Sequence, residues 1–259
     1  MCLIALAVEA HPAHPLVLVA NRDEFLDRPT EPAQVWPQGF VAGRDGRAGG
    51  TWMGLAAGGR WAALTNVRDP RAGRVGERSR GALPVGFLSG DASPEAYVRE
   101  VHAEIDRYDG FNLLVGDPTG VWIVSTHAAT PERLAPGVYG LSNATLDAPW
   151  PKTVRARERL AGAVERATVD PASLLALLDD REGAPDAELP DTGVGLDWER
   201  VLAAPRIVSD RYGTRATTGL VLNTDGAGVL VERTWRRDGT EGETRRFAVP
   251  NPSAIQPSG

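Results

Sequence analysis

Two short apolar runs at the start of the chain, residues 3–8 and 16–20, flank a segment containing His11-Pro12 and His14-Pro15, and no other feature constrains the fold as much. Runs of five or six apolar residues are too short for typical helices and suit two buried strands joined by a turn. A chain that opens this way begins inside its own core. Residues 61–66 and 111–116 have the same length and character, and the second meets residues 121–126 across Asp117-Pro118-Thr119-Gly120, a hairpin signal. A second hairpin is expected from residues 219–223 and 229–234 around Asp225-Gly226. Strands therefore dominate both ends.

Helices are expected between them. Ser93-Pro94-Glu95 supplies an N-cap, a first-turn proline and a first-turn acid, and Tyr97, Val101, Ile105 and Tyr108 follow at helical spacing, predicting a helix over about 94–108. Further helices are predicted over about 150–166 and 171–180, with a Gly-, Pro- and Asp-rich surface loop over 181–197. No repeat or low-complexity tract interrupts the chain, so one domain over residues 1–259 is expected.

Composition narrows the function classes. With 42% hydrophobic residues among 259, the chain can close a sizeable core. A net charge of −6 has the wrong sign for gripping a phosphate backbone, so nucleic acid is not expected as a partner. The opening apolar segment lacks a basic flank and is too short to span a bilayer, so a cytoplasmic protein without a membrane span is expected. One cysteine, Cys2, excludes an intramolecular disulfide and a multi-cysteine metal cluster. The histidines, His11, His14, His102 and His127, lack metal-ligand spacing, and no metal site is expected. The Gly-rich stretches at 46–50 and 54–59 lack the Lys and the strand-to-helix context of a phosphate loop and are expected to be turns.

Chemistry concentrates at Cys2. As a residue type it packs as a small buried hydrophobe. Removal of Met1, however, places a thiol and a free α-amine on one residue, and an α-amine titrating near ~8 can take the thiol proton directly or through water. A second candidate lies in Asn21-Arg22-Asp23-Glu24, where an apolar strand ends abruptly in four polar residues. In extended backbone Asn21 and Asp23 share one face and Arg22 and Glu24 the other, so at most one pair points at Cys2.

Met-Cys-Leu-Ile at the start, Asn21-Arg22-Asp23-Glu24-Phe25 with Arg28-Pro29, Gly49-Gly50-Thr51-Trp52-Met53-Gly54, Ala63-Leu64-Thr65-Asn66, Tyr108-Asp109-Gly110-Phe111-Asn112-Leu113, Tyr139-Gly140-Leu141-Ser142-Asn143 and Tyr212-Gly213-Thr214-Arg215 together resemble the NRDE family, the transport and Golgi organisation protein 2 family. These blocks keep their order from residue 1 to about 248. The resemblance implies an α+β, four-layer αββα sandwich of N-terminal-nucleophile hydrolase type, related to cysteine amide hydrolases such as penicillin V acylases and bile salt hydrolases. It makes Cys2, Arg22, Asp23, Asn66, Asn143 and Arg215 the candidate catalytic residues. The enzymes space their early Arg and Asp three residues apart, so Asn21 and Glu24 are the alternative occupants of those places and the candidate substrate-binding residues.

The implied roles are physically coherent. Asn66 and Asn143 amides could donate to a developing oxyanion, about 3 kcal/mol per donor. Arg215 would hold the thiolate or a substrate carboxylate, and Arg22 or Arg215 would lower the Cys2 thiol pKa. The implied activity is hydrolysis of a non-peptide carbon–nitrogen amide bond, or of a thioester, with no required cofactor. The alternative is a carrier: eukaryotic members are associated with haem trafficking and with lipid and secretory-pathway homeostasis, and the same cleft could hold a haem ligand without turnover.

Overall fold

The computed structural model describes residues 2–70, 76–166 and 169–251. The two opening runs form β1 (Cys2–His11) and β2 (His14–Phe25), paired antiparallel from Cys2 opposite Arg22 to His11 opposite His14. They lie in a six-stranded sheet with β10 (Gly137–Leu141), β11 (Tyr212–Leu222), β12 (Gly228–Trp235) and β13 (Glu241–Val249), in the order β10-β1-β2-β11-β12-β13. The second sheet has seven strands in sequence order: β3 (Thr30–Val35), β4 (Val41–Asp45), β5 (Met53–Leu55), β6 (Trp61–Asn66), β7 (Phe111–Asp117), β8 (Gly120–Ser125) and β9 (Glu132–Arg133).

Alternation along β1 fixes the layering. Ile4, Leu6 and Val8 meet Trp61, Leu114 and Leu55 between the sheets, while Leu3, Ala5 and Ala7 meet Ala156 and Leu160 of α3 (Pro151–Val164) outside. Both faces are covered, so β1 reads as a continuous apolar run rather than an alternating one. The outer face of the second sheet is covered by α1 (Ala82–Ser89) and α2 (Pro94–Ala103), through Phe87, Leu88, Val98 and Val101 against Leu64, Leu113 and Val115. The result is helix, sheet, sheet, helix, the expected four-layer αββα sandwich.

Both predicted hairpins form, with Asp117 opposite Gly120 and Leu222 opposite Gly228. The helix expected to reach residue 108 stops at Ala103, and a single 3-10 turn follows over Ile105–Arg107. Tertiary packing overrides the periodicity there, because Tyr108 is extended and buried edge-on against Phe111. The helix expected over 171–180 is α4 (Pro171–Leu174) continued by a 3-10 turn, Leu175–Leu178. The loop expected over 181–197 contains a 3-10 turn at Asp186–Glu188 and the start of α5 (Leu196–Leu202). Strands are not confined to the ends, since β7 to β10 lie between α2 and α3.

One buried acid inside the sandwich has a measurable consequence. Glu232 of β12 accepts from the Ala33 N–H at 2.6 Å and from Thr218 Oγ1 at 3.3 Å, and burial pushes its pKa up to about 7. A carboxyl raised on folding contributes its stability below the unfolded value of ~4.3 and loses it as pH climbs through the folded value. Melting temperature should therefore fall between about pH 5 and pH 8. Glu232→Gln, which keeps the acceptor and cannot ionise, is expected to flatten that slope and to be more stable than the parent at pH 8 by on the order of 2 kcal/mol. Parallel slopes for the two proteins across that range would contradict it.

Candidate active site

Cys2 is the first described residue of β1, and its register partner Arg22 lies near the end of β2. Both belong to the inner set of side chains that faces the second sheet. Arg22 crosses that gap: Nη2 donates to Asp45 Oδ2 at 2.7 Å, Nη1 donates to Thr30 Oγ1 at 2.9 Å, and the guanidinium lies 4.5 Å from the Trp52 ring centroid. Asp45 also accepts from Arg28 Nε at 2.6 Å and caps its own loop through the Arg47 and Ala48 N–H groups.

Asn21 points the other way. Its amide donates to the carbonyls of Leu178 and Pro205 and its Oδ1 accepts from Thr217 Oγ1, all on the helix-covered side. Asp23 starts on that side too, accepting from Thr214 Oγ1 at 2.7 Å, but at the strand end it also reaches the cleft beside Cys2. A bulge in β11 shapes this corner. Thr214 opposes Asp23 and Ala216 opposes Arg22, leaving Arg215 as the extra residue. Its Nη1 turns to the carbonyls of Phe25, Leu26 and Arg28, where it ties down the turn after β2 and lies outside the cleft lining.

The cleft above Cys2 encloses about 160 Å³. Of the residues singled out in the sequence, Cys2, Arg22, Asp23, Glu24 and Asn66 line it. Asn143 is one step removed: its Nδ2 donates to the Asn66 carbonyl at 2.8 Å and its own carbonyl accepts from the Arg68 N–H at 2.8 Å. Ser142 Oγ beside it donates to the Cys2 carbonyl at 3.1 Å. Asn143 thus holds the end of β6 against β10, and Asn66 faces the cleft. Arg28 and Asp109, read in the sequence only as parts of the family blocks, also line it, as do Asp45, Arg78 and Arg80, which sequence reasoning left out. Asp45 carries no signal of its own in the sequence, because locally it only accepts from the Arg47 and Ala48 N–H groups of its loop. Arg78-Ser79-Arg80 gave a weak signal, two cations just before α1.

Charges in the cleft are interleaved, four arginines against four acids. Burial pushes the Cys2 thiol above its ordinary value and the Asp23 charge adds to this, while the N-terminal amine and, more weakly, Arg22 offset it only in part. Arg22 pulls the thiol pKa down as expected, but loss of hydration outweighs it and the net shift is upward, while Arg215 lies outside the cleft lining. Burial likewise raises the Asp23 carboxyl, against the opposing pull of Lys152. Asp45 stays below the usual carboxylate range although burial pushes it up, because Arg28 and the Ala48 N–H hold the ionised form. Burial thus favours the protonated form of the thiol. Among the described residues no group of three His, Cys, Asp or Glu side chains converges as metal ligands. No helix among them is long and apolar enough to cross a membrane.

The sequence profile of the Transport and Golgi organisation 2 family matches residues 1–237. The chain belongs to that family. Family members with curated names include the Transport and Golgi organization protein 2 homologs of Bos taurus and Homo sapiens. The first is 36% identical, the match covering 90% of this chain and 92% of the relative, and the second 35% identical over 95% and 98%. The Drosophila melanogaster Transport and Golgi organization protein 2 is 26% identical over 90% of this chain and 92% of its own. Among solved structures, a Cys2-to-Ala mutant of the conjugated bile acid hydrolase from Clostridium perfringens is similar with a TM-score of 0.50 and 9% identity, covering 99% of this chain and all of that one. At that identity the likeness shows the fold of an N-terminal-nucleophile hydrolase in this family member and nothing of its substrate.

Proposed function

We propose that this chain is a cysteine-dependent hydrolase of a non-peptide amide, or of a thioester, with Cys2 as nucleophile. The observation that carries the reading is the position of the only sulfhydryl in the chain: it opens the first strand at the floor of a charged cleft, with Asn66 on the wall and Arg22 and Asp23 on the neighbouring strand. Once the residue before Cys2 is removed, the new α-amine accepts the thiol proton while sulfur attacks the acyl carbon. The amine then returns that proton to the departing nitrogen as the carbon–nitrogen bond breaks. Water, deprotonated by the same amine, cleaves the resulting thioester. The Asn66 amide is the candidate oxyanion donor, and Asn143 fixes the backbone that presents it. Arg28, Arg78 and Arg80 give the cleft cations for an anionic group on the substrate.

The carrier reading has one observation in its favour. A wider groove of about 500 Å³ adjoins the cleft, shares Asn66, Arg80 and Asp109 with it, and includes His127, a residue able to ligate haem iron. The cleft itself is small and charged, whereas pockets for larger ligands run to roughly 300–1,000 Å³ and are mostly apolar. Intact-mass spectrometry after incubation with a panel of N-acyl amides and acyl thioesters tests the two readings together. The hydrolase predicts loss of Met1 and transient addition of one acyl group on Cys2. An unmodified Cys2 with Met1 retained, together with saturable haem uptake that His127→Ala weakens, would replace it with the carrier.

A further inference from the structure

Four arginines line the cleft, and three of them are already engaged with acids. Arg22 donates to Asp45 at 2.7 Å, and Arg28 donates to the same carboxylate at 2.6 Å with Glu24 at 3.8 Å. Arg78 is paired with Glu104, which does not line the cleft. Arg80 is the exception. Its Nη1 donates to the Gly110 carbonyl at 3.0 Å, and among the described residues it has no acid within ion-pair distance and no acceptor for Nε or Nη2. Asp109 beside it turns Oδ1 instead to the Gly76 N–H at 2.7 Å. The guanidinium is half-buried, and that loss of hydration pulls its pKa below the usual arginine value. Nε and Nη2 form one edge of the guanidinium, an edge that matches the two oxygens of a carboxylate.

Arg80 also stands where two spaces meet. The charged cleft of about 160 Å³ and the groove of about 500 Å³ share Asn66, Arg80 and Asp109, while Cys2 belongs to the smaller space alone. We infer that Arg80 is the specificity-determining residue of this site: its Nε–Nη2 edge takes a substrate carboxylate a few bonds from the acyl carbon that Cys2 attacks, and the uncharged remainder of the substrate extends into the groove. The position of the breaking bond rests on the hydrolase reading, but the recognition of the carboxylate does not. A single negative charge suits the place better than a phosphate dianion, because Asp23, Glu24 and Asp109 line the same cleft. The substrate class is therefore an amide or thioester with a carboxylate close to the scissile bond. The carboxylate belongs either to the leaving group, as in an N-acyl amino acid, or to the acyl group, as in the half-amide of a dicarboxylic acid.

Binding to full-length Cys2→Ala, which cannot turn ligands over, tests the inference by calorimetric titration with three amides. N-hexanoylglycine carries its carboxylate on the amine side, N-hexylsuccinamate carries it on the acyl side, and N-hexanoylethanolamine has a hydroxyl in its place. The better of the two carboxylates should bind at least about tenfold tighter than the neutral amide, the scale of one charge-assisted pair, and its identity tells which side of the bond carries the anion. Adding Arg80→Gln should erase that preference with little change in affinity for the neutral amide. Arg80→Lys, which keeps the charge and loses the fork, should restore part of it. Equal affinity for charged and neutral amides overturns the inference, as does failure of all three to bind, and neither result needs an Arg80 variant to fold. A preference that survives Arg80→Gln overturns it too. An Arg80-dependent preference in a protein whose parent never acylates Cys2 would keep the recognition and remove the hydrolase.

Discussion

Cys2→Ser is expected to lower turnover of any amide or thioester substrate by at least about 10³-fold, with melting temperature and circular dichroism close to those of the parent. Serine keeps the geometry, but its hydroxyl is far harder to ionise than a thiol. The burial that already pushes the Cys2 thiol up penalises an alkoxide more severely. Cys2→Ala removes the nucleophile altogether, and residual rate would then come only from binding and oxyanion stabilisation. Both changes are small in volume, so ligand binding should survive them. Steady-state hydrolysis with a substrate identified by acyl capture is the measurement. Undiminished hydrolysis in Cys2→Ala would remove the cysteine mechanism.

The largest expected loss of stability lies elsewhere. Arg68 and Glu199 form an ion pair at 3.0 Å with both side chains only 4% exposed. Glu199 also accepts from the N–H and the hydroxyl of Thr192, and the Arg68 guanidinium lies 4.6 Å from the Trp150 ring centroid. Removing the acid strands a buried cation that stays protonated, a cost of about 3–5 kcal/mol. For a chain of this length that corresponds to a fall in melting temperature of roughly 10 °C in Glu199→Ala. Glu199→Gln keeps the acceptor for Thr192 and should lose less. A fall of under about 2 °C in Glu199→Ala, followed by calorimetry, would mean that the pair contributes little.

The layers were legible because apolar runs and hairpin turns are local signals. β1, β2, β6 and the two hairpins are apolar segments bounded by punctuating residues, and the structure places strands there. α1 was not foreseen, because its residues are apolar around most of the circumference, the exposed Ala82 and half-buried Val85 as well as the buried Leu83, Pro84, Phe87 and Leu88, which leaves no polar face for periodicity to reveal. Strands β3, β4 and β5 are short and carry Gly, Pro and charged residues, and the partner strands rather than their own composition determine them. At the site, adjacency in sequence pointed to Asn21 through Glu24, and strand alternation separates Asn21 from Arg22, but Asp23 at the strand end escapes it and lines the cleft together with Arg22 and Glu24. What alternation could not reveal was the β11 bulge that turns Arg215 aside, or Asp45 arriving from the other sheet to meet Arg22. Both depend on pairings between residues far apart in the chain.

The strand that carries Cys2 has one neighbour on each side, and both reach across to the opposite sheet: β2 through Arg22 to Asp45, and the end of β10 through Asn143 to Asn66. The sulfur thus lies between two crossbeams that leave the strands flanking its own, one at the cleft wall and one just behind it, and their separation is set by strand spacing. On the proposed hydrolase reading, such an entrance would discriminate by cross-section at the moment of entry, without closing over its guest. Broadening what this protein accepts would then be a matter of shortening a crossbeam, with the nucleophile and its strand left as they are.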